Sequence, residues 1–426
     1  MKAPERPPAP DWARAPAAAI TAAARGASGV AVALRQGERW SVVTRGRTAH
    51  GGGTPVTADT VFEIGSVTKC LTALLLAEQV ARGELAYGDP LSRFLPSGAL
   101  PLTPGGSITP LHLATHTSGL PRLPPGFLAG AAPRWFSNPY AGFSADDLLR
   151  SLARTRTRTR PGERVRYSNF GVGLLGELLV RAAPGRPGHR QDFGELLAAR
   201  VLAPLGLRRT GCAAEAGVEG RVEVAPGGGG GPVVLVSAGG GAAGGGAAGG
   251  GGAASGGGAA EGGGAAADSA IGRGGTGGRG GTGGGGVAAT GYWHGRTRPP
   301  WLIPGLAGAG AARSCARDLL TLLDALIDPA GAPVNGEVRA ALADVTRPRL
   351  ALGDGARRLA LVWNIRVRPD GDLYHHSGGT RGFSTFAGFC PSRRTAVVAL
   401  ANTGPTADGS FIQSAYSALR ALSTPS

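Results

Sequence analysis

Lysine is nearly missing from this chain of 426 residues. Of its 44 cationic side chains only Lys2 and Lys69 are lysine. Arginine serves surface charge, ion pairs and phosphate contacts, but it cannot give up its proton. A buried lysine shifts its pKa readily and can act as a base. The one interior lysine is therefore expected where deprotonation is useful. Aromatic residues are scarce too, at 5%, and the arginines are scattered, so the net charge of +16 comes without the stacking platforms that single-strand nucleic-acid binders use. The four cysteines, Cys70, Cys212, Cys315 and Cys390, show no C-x-x-C spacing and suit neither a zinc site nor a compact disulfide framework. Cys70 reads as a small buried hydrophobe. No run is long and apolar enough to span a membrane, and residues 1–25 lack an apolar h-region. The chain as given is expected in the cytoplasm, or outside the cell if its start is mis-set.

Several common motifs are absent or incomplete. There is no G-x-S-x-G elbow, and neither lysine is followed by Ser or Thr as a Walker A loop requires. Gly171-Val172-Gly173-Leu174-Leu175-Gly176 fits G-x-G-x-x-G, but no β-α-β unit brackets it. His112 and His116 stand four apart, yet Leu113 occupies the position where a zinc helix needs glutamate. Both are expected to be structural, and neither a metal nor a cofactor is expected.

What is present is Ile64-Gly65-Ser66-Val67-Thr68-Lys69. A helix starting near Ser66 puts positions i and i+3 on one face, so the Lys69 amine can approach the Ser66 hydroxyl. Leu71, Leu74, Leu75 and Val80 supply an apolar stripe at helical spacing, with Gly83 as a stop. Free lysine, at about 10.4, is a poor base at neutral pH; desolvation and a second cation would bring it to about 7–8. Serine nucleophile and lysine base is the expectation, although Ser-x-x-Lys alone is a short pattern that also arises by chance.

Two further segments stand in order along the chain. Tyr167-Ser168-Asn169 follows Pro161-Gly162 and precedes a helical run over Gly173–Ala182, and His376-Ser377-Gly378 opens Gly379-Thr380-Arg381-Gly382-Phe383 after a strand. The series S-x-x-K, Y-S-N, then [K/H]-[S/T]-G resembles the penicillin-recognising serine hydrolases, which include class C β-lactamases, D-alanyl-D-alanine carboxypeptidases, D-aminopeptidases and esterases. Thr60-Val61-Phe62-Glu63, Thr115-His116-Thr117-Ser118-Gly119-Leu120-Pro121, Pro204-Leu205-Gly206-Leu207 and Ala316-Arg317-Asp318-Leu319 are similar to minor landmarks of that family. The resemblance runs from about Gly29 to Leu422 apart from one insert.

That resemblance implies roles for particular residues. Ser66 would form an acyl-enzyme, with Lys69 and Tyr167 sharing proton transfer. Asn169 would hydrogen-bond substrate or orient Lys69. The amides of Ser66 and Gly379 would form an oxyanion hole beside Ser377 and Gly378. His376 stands where most β-lactamases of the group have lysine, and as a weaker, pH-dependent cation it tilts the expectation toward peptidase or esterase. Arg381, where proline is common in the family, could hold a substrate carboxylate. His375 faces the opposite side of the strand and is expected to be structural. A small-molecule ester or small-peptide amide is the expected substrate, D-alanyl-D-alanine carboxypeptidase or D-aminopeptidase activity comes second and β-lactamase third, and neither nucleic acid nor membrane is an expected partner. Acyl transfer, a ligand sensor that turns over negligibly and an arginine-rich nucleic-acid binder on a dead scaffold are the alternatives. The oligomeric state is left open.

The expected fold class is α+β, a DD-peptidase/β-lactamase-like fold. Strands from both chain ends build one antiparallel sheet, and a mainly helical region over 66–342 is inserted between them. A hairpin is expected over Val30–Leu34 and Arg39–Thr44 around Gln36-Gly37-Glu38. Further strands are expected over Leu359–Val367, Leu373–His375, Ser384–Phe389 and Ala396–Ala401, and a last helix over Gly409–Leu422. Residues 1–16 read as a loose, proline-rich leader to a single domain over 17–426. The domain is interrupted at 227–286, where much of the glycine (76 in all) collects in a Gly/Ala tract expected to stay disordered. The run Arg154-Thr155-Arg156-Thr157-Arg158-Thr159-Arg160 reads as a solvated loop, or as a collector of anionic substrates at a cleft mouth.

Overall fold

The protein is described here by a computed structural model over residues 9–132, 137–184, 192–212, 287–353 and 355–424. The expected insert at 227–286 and residues 1–8 of the leader lie outside the described residues.

The first strand is built of alternating sizes. Val30, Val32 and Leu34 point to one face and Ala31 and Ala33 to the other, all of them buried. Burial on both faces suits a central strand, and Gly29–Gln36 does pair on one side with Arg39–Ala49 and on the other with Thr395–Ala401. The two ends of the chain thus meet at the middle of an antiparallel sheet of nine strands. In spatial order these are Gly52–Pro55, Arg39–Ala49, Gly29–Gln36, Thr395–Ala401, Ser384–Cys390, Leu373–Gly379, Asn364–Arg366, Arg357–Leu359 and Leu350–Leu352. The large side chains of one face meet the helices Asp11–Ala23 and Ser410–Leu422 in a core of Ile20, Leu34, Phe386, Val397, Phe411 and Leu419. The other face meets the helix Ala316–Ile327 and, beyond it, the mainly helical region that holds the larger core.

Three departures from the sequence reading have physical causes. The leader is not loose through residue 16: a helix runs from Asp11 to Ala23 with Pro16 inside it. Ala13, Ala17 and Ile20 are buried on one stripe against the last helix, and this burial outweighs the one hydrogen bond that Pro16 removes. The strand expected over 359–367 is two strands, Arg357–Leu359 and Asn364–Arg366, joined by a turn. The apolar run through the turn carried no glycine or proline signal because it dives into the core: Trp363 is buried and Val362 takes φ +67° while its amide donates to the Ala114 carbonyl. The inserted region is not helical throughout: Ala312–Ser314 and Gly211–Cys212 form a three-stranded sheet with Phe62–Glu63, which precedes the region, and Gly291–Trp293 forms a hairpin with Arg296–Arg298.

The helix Thr68–Ala81 is buried around nearly its whole circumference, as a helix at the centre of a bundle must be. Beside it runs Asn169–Ala182, whose start is fixed by Ser168, the side chain of which accepts the Gly171 amide at 2.8 Å and donates to the Pro121 carbonyl at 2.6 Å. The glycines of the G-x-G-x-x-G pattern serve packing: a Cβ on Gly173 would lie 2.3 Å from Leu306 Cδ2, and one on Gly176 3.1 Å from Gly308 Cα. They let the short helix Ala307–Gly310 lie close against Asn169–Ala182.

If the first helix is part of the core, Ile20→Ala should cost about 2–5 kcal/mol. A urea-unfolding midpoint equal to the parent's would contradict that placement.

Candidate active site

Ser66 sits in a 3₁₀ turn, Gly65–Val67, that leads into the α-helix at Thr68. The turn gives the expected i, i+3 approach, with Lys69 Nζ donating to Ser66 Oγ at 3.0 Å. Tyr167 arrives from the start of Asn169–Ala182, and its hydroxyl donates to the same Oγ at 2.7 Å. Lys69 makes a second bond, 2.6 Å to the carbonyl of Ala309 in the short helix Ala307–Gly310. Thr72 bonds the Gly308 carbonyl of that helix at 2.7 Å, and the Thr68 hydroxyl accepts the Ala312 amide at 3.1 Å. The lysine is thus aimed from both sides, by the serine and by a main-chain oxygen 240 residues away.

The His376-Ser377-Gly378-Gly379 segment does not open a loop; it forms the second half of the strand Leu373–Gly379. Gly378 and Gly65 bring this strand onto the nucleophile turn. A Cβ on Gly378 would lie 2.0 Å from the Ile64 carbonyl oxygen and 3.0 Å from the Ser66 amide nitrogen. One on Gly65 would lie 2.7–2.9 Å from the main chain of Gly379. Two bare backbones therefore face each other beside Ser66. Glu63 adds a second tie. Its buried carboxylate accepts the Thr380 hydroxyl at 2.8 Å and the Trp301 amide at 2.7 Å, joining the strand before the serine to the residue after Gly379.

Burial decides the protonation states. Lys69 is fully buried, with no carboxylate paired to it among the described residues, and desolvation lowers its pKa to about 7, with a smaller push from the nearby Arg122 cation. Desolvation raises the Tyr167 phenol to about 12, so it is a proton-bearing donor at neutral pH. His376 departs from expectation. Burial first, then the charges of Lys69, His116 and His375, press it down to about 3, so it is a neutral imidazole and not a pH-dependent cation. Its Nδ1 lies 2.9 Å from the Ser377 carbonyl. His375 points to the other face, against Phe386 and Tyr416, as the strand period requires.

The remaining expected residues scatter. Asn169 does not orient Lys69: its amide nitrogen donates to the Arg122 carbonyl at 3.0 Å, its side chain reaches Tyr140, and its buried Oδ1 has no partner among the described residues. Ser377 is exposed between buried His376 and Gly378. Arg381 lies over the Trp293 ring at 5.2 Å, and Arg298 lies over the same ring at 5.2 Å. In the Arg-Thr run the arginines at 154, 156, 158 and 160 are exposed while Thr155 and Thr157 are buried, the pattern of a solvated ridge. His112 caps its own helix through the Thr109 amide, and His116 stands beyond the end of that helix, Pro110–Ala114, so the two do not share a helical face. Ala309, Tyr140 and Arg122 escaped the sequence reading, and Glu63 entered it only within a family landmark. Ala309 contributes only a carbonyl, which no side-chain pattern marks.

A buried lysine without a counter-charge also destabilises the fold. Its folded pKa lies below the ordinary value of 10.5, so between about 7 and 10.5 the unfolded chain holds the proton more tightly and stability rises with pH; below about 7 the penalty is complete. Lys69→Met removes it at similar volume, so the variant should melt above the parent, by more at about pH 6 than at about pH 9. A gain that does not shrink with pH, or a loss at both, would contradict the desolvated lysine.

Known proteins resemble this chain in sequence. D-alanyl-D-alanine-carboxypeptidase/endopeptidase AmpH of Escherichia coli is 32% identical over 186 residues, 43% of this chain and 45% of that protein. Esterase EstB of Burkholderia gladioli is 34% identical over 192 residues, 43% of this chain and 46% of that one. A beta-lactamase of Escherichia coli is 34% identical over 156 residues, 37% of this chain and 36% of that one. The chain thus spans less than half the length of these relatives. The family description Beta-lactamase matches residues 16–421, from the first helix into the last, and the chain belongs to the beta-lactamase family.

Proposed function

We propose that the chain is a serine hydrolase that works through an acyl-enzyme on Ser66. The observation that carries this reading is the convergence on one hydroxyl of a fully buried lysine lowered to about 7 and a phenol raised to about 12. In the neutral form Lys69 accepts the Ser66 proton as Oγ attacks the carbonyl carbon. Tyr167 gives its proton to the leaving alcohol or amine and takes the serine proton from Lys69, so the net transfer is of one proton from Ser66 to the leaving group. Water then repeats the sequence in reverse on the acyl-enzyme. The amides of Ser66 and Gly379, brought together by the glycine contact, would hold the oxyanion; losing one such donor typically costs about 100- to 1000-fold.

An ester or a small-peptide amide is the proposed substrate, in line with the names of two relatives, an esterase and a carboxypeptidase/endopeptidase. The neutral His376 supports an ester or an uncharged amide, because it offers no cation to a substrate carboxylate. Lysis of β-lactams is the second activity to test, since other relatives are named for it.

Intact mass followed over time with a p-nitrophenyl ester and a penicillin tests the scheme, with Ser66→Ala as control. A shift on the parent that appears and decays, faster with the ester, is expected. Lys69→Arg keeps the charge but cannot deprotonate, and its acylation should fall as far as in Ser66→Ala; retained activity would overturn the lysine-base step. The acylation rate should rise with pH through about 7, as Lys69 becomes neutral, to a plateau. A rate that falls over that interval would contradict it.

A further inference from the structure

His116 is a buried non-glycine residue held at φ +57°. The left-handed region is costly for any L-residue with a Cβ and persists only where the surroundings over-determine it. Here they do: its own amide donates to the Leu113 carbonyl at 3.4 Å, and its other ties run to one place. The His116 carbonyl accepts the Arg166 amide at 2.7 Å, and its Nδ1 accepts the Ser168 amide at 3.3 Å. Between those two amides stands Tyr167, whose ring lies 4.6 Å from the His116 ring at a tilt of 43°. One residue therefore grips the main chain before and after the tyrosine and covers a face of its ring.

The grip requires a neutral imidazole. An amide donor at Nδ1 needs a lone pair there, which places the ring proton on Nε2. Lys69 and His376 lie within electrostatic range of the ring, and burial followed by the Lys69 charge holds His116 down to about 3. Around Tyr167 itself stand Lys69, 5.1 Å from the ring centre, Arg122 at 5.5 Å, the Ser66 hydroxyl, Cys70 and Tyr140. His116 packs against the phenol ring without contributing a charge to it.

We propose that His116 is the positioning residue for Tyr167: its backbone and Nδ1 fix the tyrosine's main chain, and its ring holds the phenol over Ser66 and away from water. The proposal rests on the serine-hydrolase reading for its consequence in rate, but not for its structural content.

Two variants separate the parts. His116→Asn tolerates the left-handed backbone, and its Oδ1 can accept the Ser168 amide, but it has no ring to lay against Tyr167. His116→Gly relieves the backbone strain and leaves a space that free imidazole can enter. The full chain carries [13Cζ]tyrosine, with the Tyr167 signal assigned by Tyr167→Phe. In His116→Asn the Tyr167 titration midpoint should fall by about one unit or more as the face opens to water. Labelling of Ser66 by a fluorophosphonate should slow about 10- to 100-fold while the melting temperature stays near the parent's. Imidazole should speed labelling of His116→Gly several-fold. An unmoved Tyr167 midpoint with parent-like labelling would overturn the proposal, as would slow labelling that only tracks lost stability. If the parent itself is not labelled at Ser66 but the Tyr167 midpoint still moves in the variant, the hydrolase reading falls and the positioning role stands.

Discussion

The site depends on a contact between two stretches of backbone with no side chain between them. Gly65 in the nucleophile turn and Gly378 in the strand Leu373–Gly379 approach so closely that a Cβ on Gly378 would overlap the Ile64 carbonyl. Everything else follows from that approach. It brings the Ser66 amide beside the Gly378–Gly379 main chain, sets the His376 ring within electrostatic reach of Lys69, and lets Glu63 reach Thr380. A side chain at either glycine would hold the sheet and the helical region apart by more than a hydrogen bond can span. The strand belongs to the C-terminal half of the chain and the turn to the N-terminal half, so the catalytic geometry rests on the central sheet that joins the two halves.

Against that frame the helical region supplies the chemistry by exclusion of water. A helix buried around its circumference carries Lys69 where an ammonium is poorly solvated, and a neutral amine is the cheaper form. The nearest acceptors are a serine hydroxyl and one carbonyl, which orient the amine without the negative charge that would restore its ordinary pKa. The same dryness keeps Tyr167 protonated and both nearby histidines neutral, so of these four groups Lys69 alone changes protonation near neutrality. Arginine could stand in for lysine elsewhere in the chain, but not here.

Much of this was legible in the sequence. The near-absence of lysine marked Lys69, the i, i+3 spacing brought it to Ser66, and the alternating runs at both chain ends foretold one antiparallel sheet. Where legibility failed, the determinant was a main-chain or long-range effect. Ala309 orients Lys69 through a carbonyl, which any residue could offer. His376 was expected to carry charge because its neighbours in space, Lys69 and His116, are remote in sequence. The first helix was hidden by prolines whose local cost is offset by a stripe packed on the last helix of the chain. The 357–366 hairpin turns on buried apolar residues, the opposite of the usual turn composition.

The central claim is that Lys69 loses its proton near pH 7 and not near 10.5, and the composition of the chain makes it directly measurable. With lysine labelled at 13Cε, only two side chains, Lys2 and Lys69, give signals, and Lys69→Met assigns them. Followed through a pH titration, the Lys69 signal should turn over at about 7. A Lys69 signal that titrates near the ordinary 10.5 would mean that Lys69 stays protonated at neutral pH, and the base for Ser66 would have to be sought elsewhere.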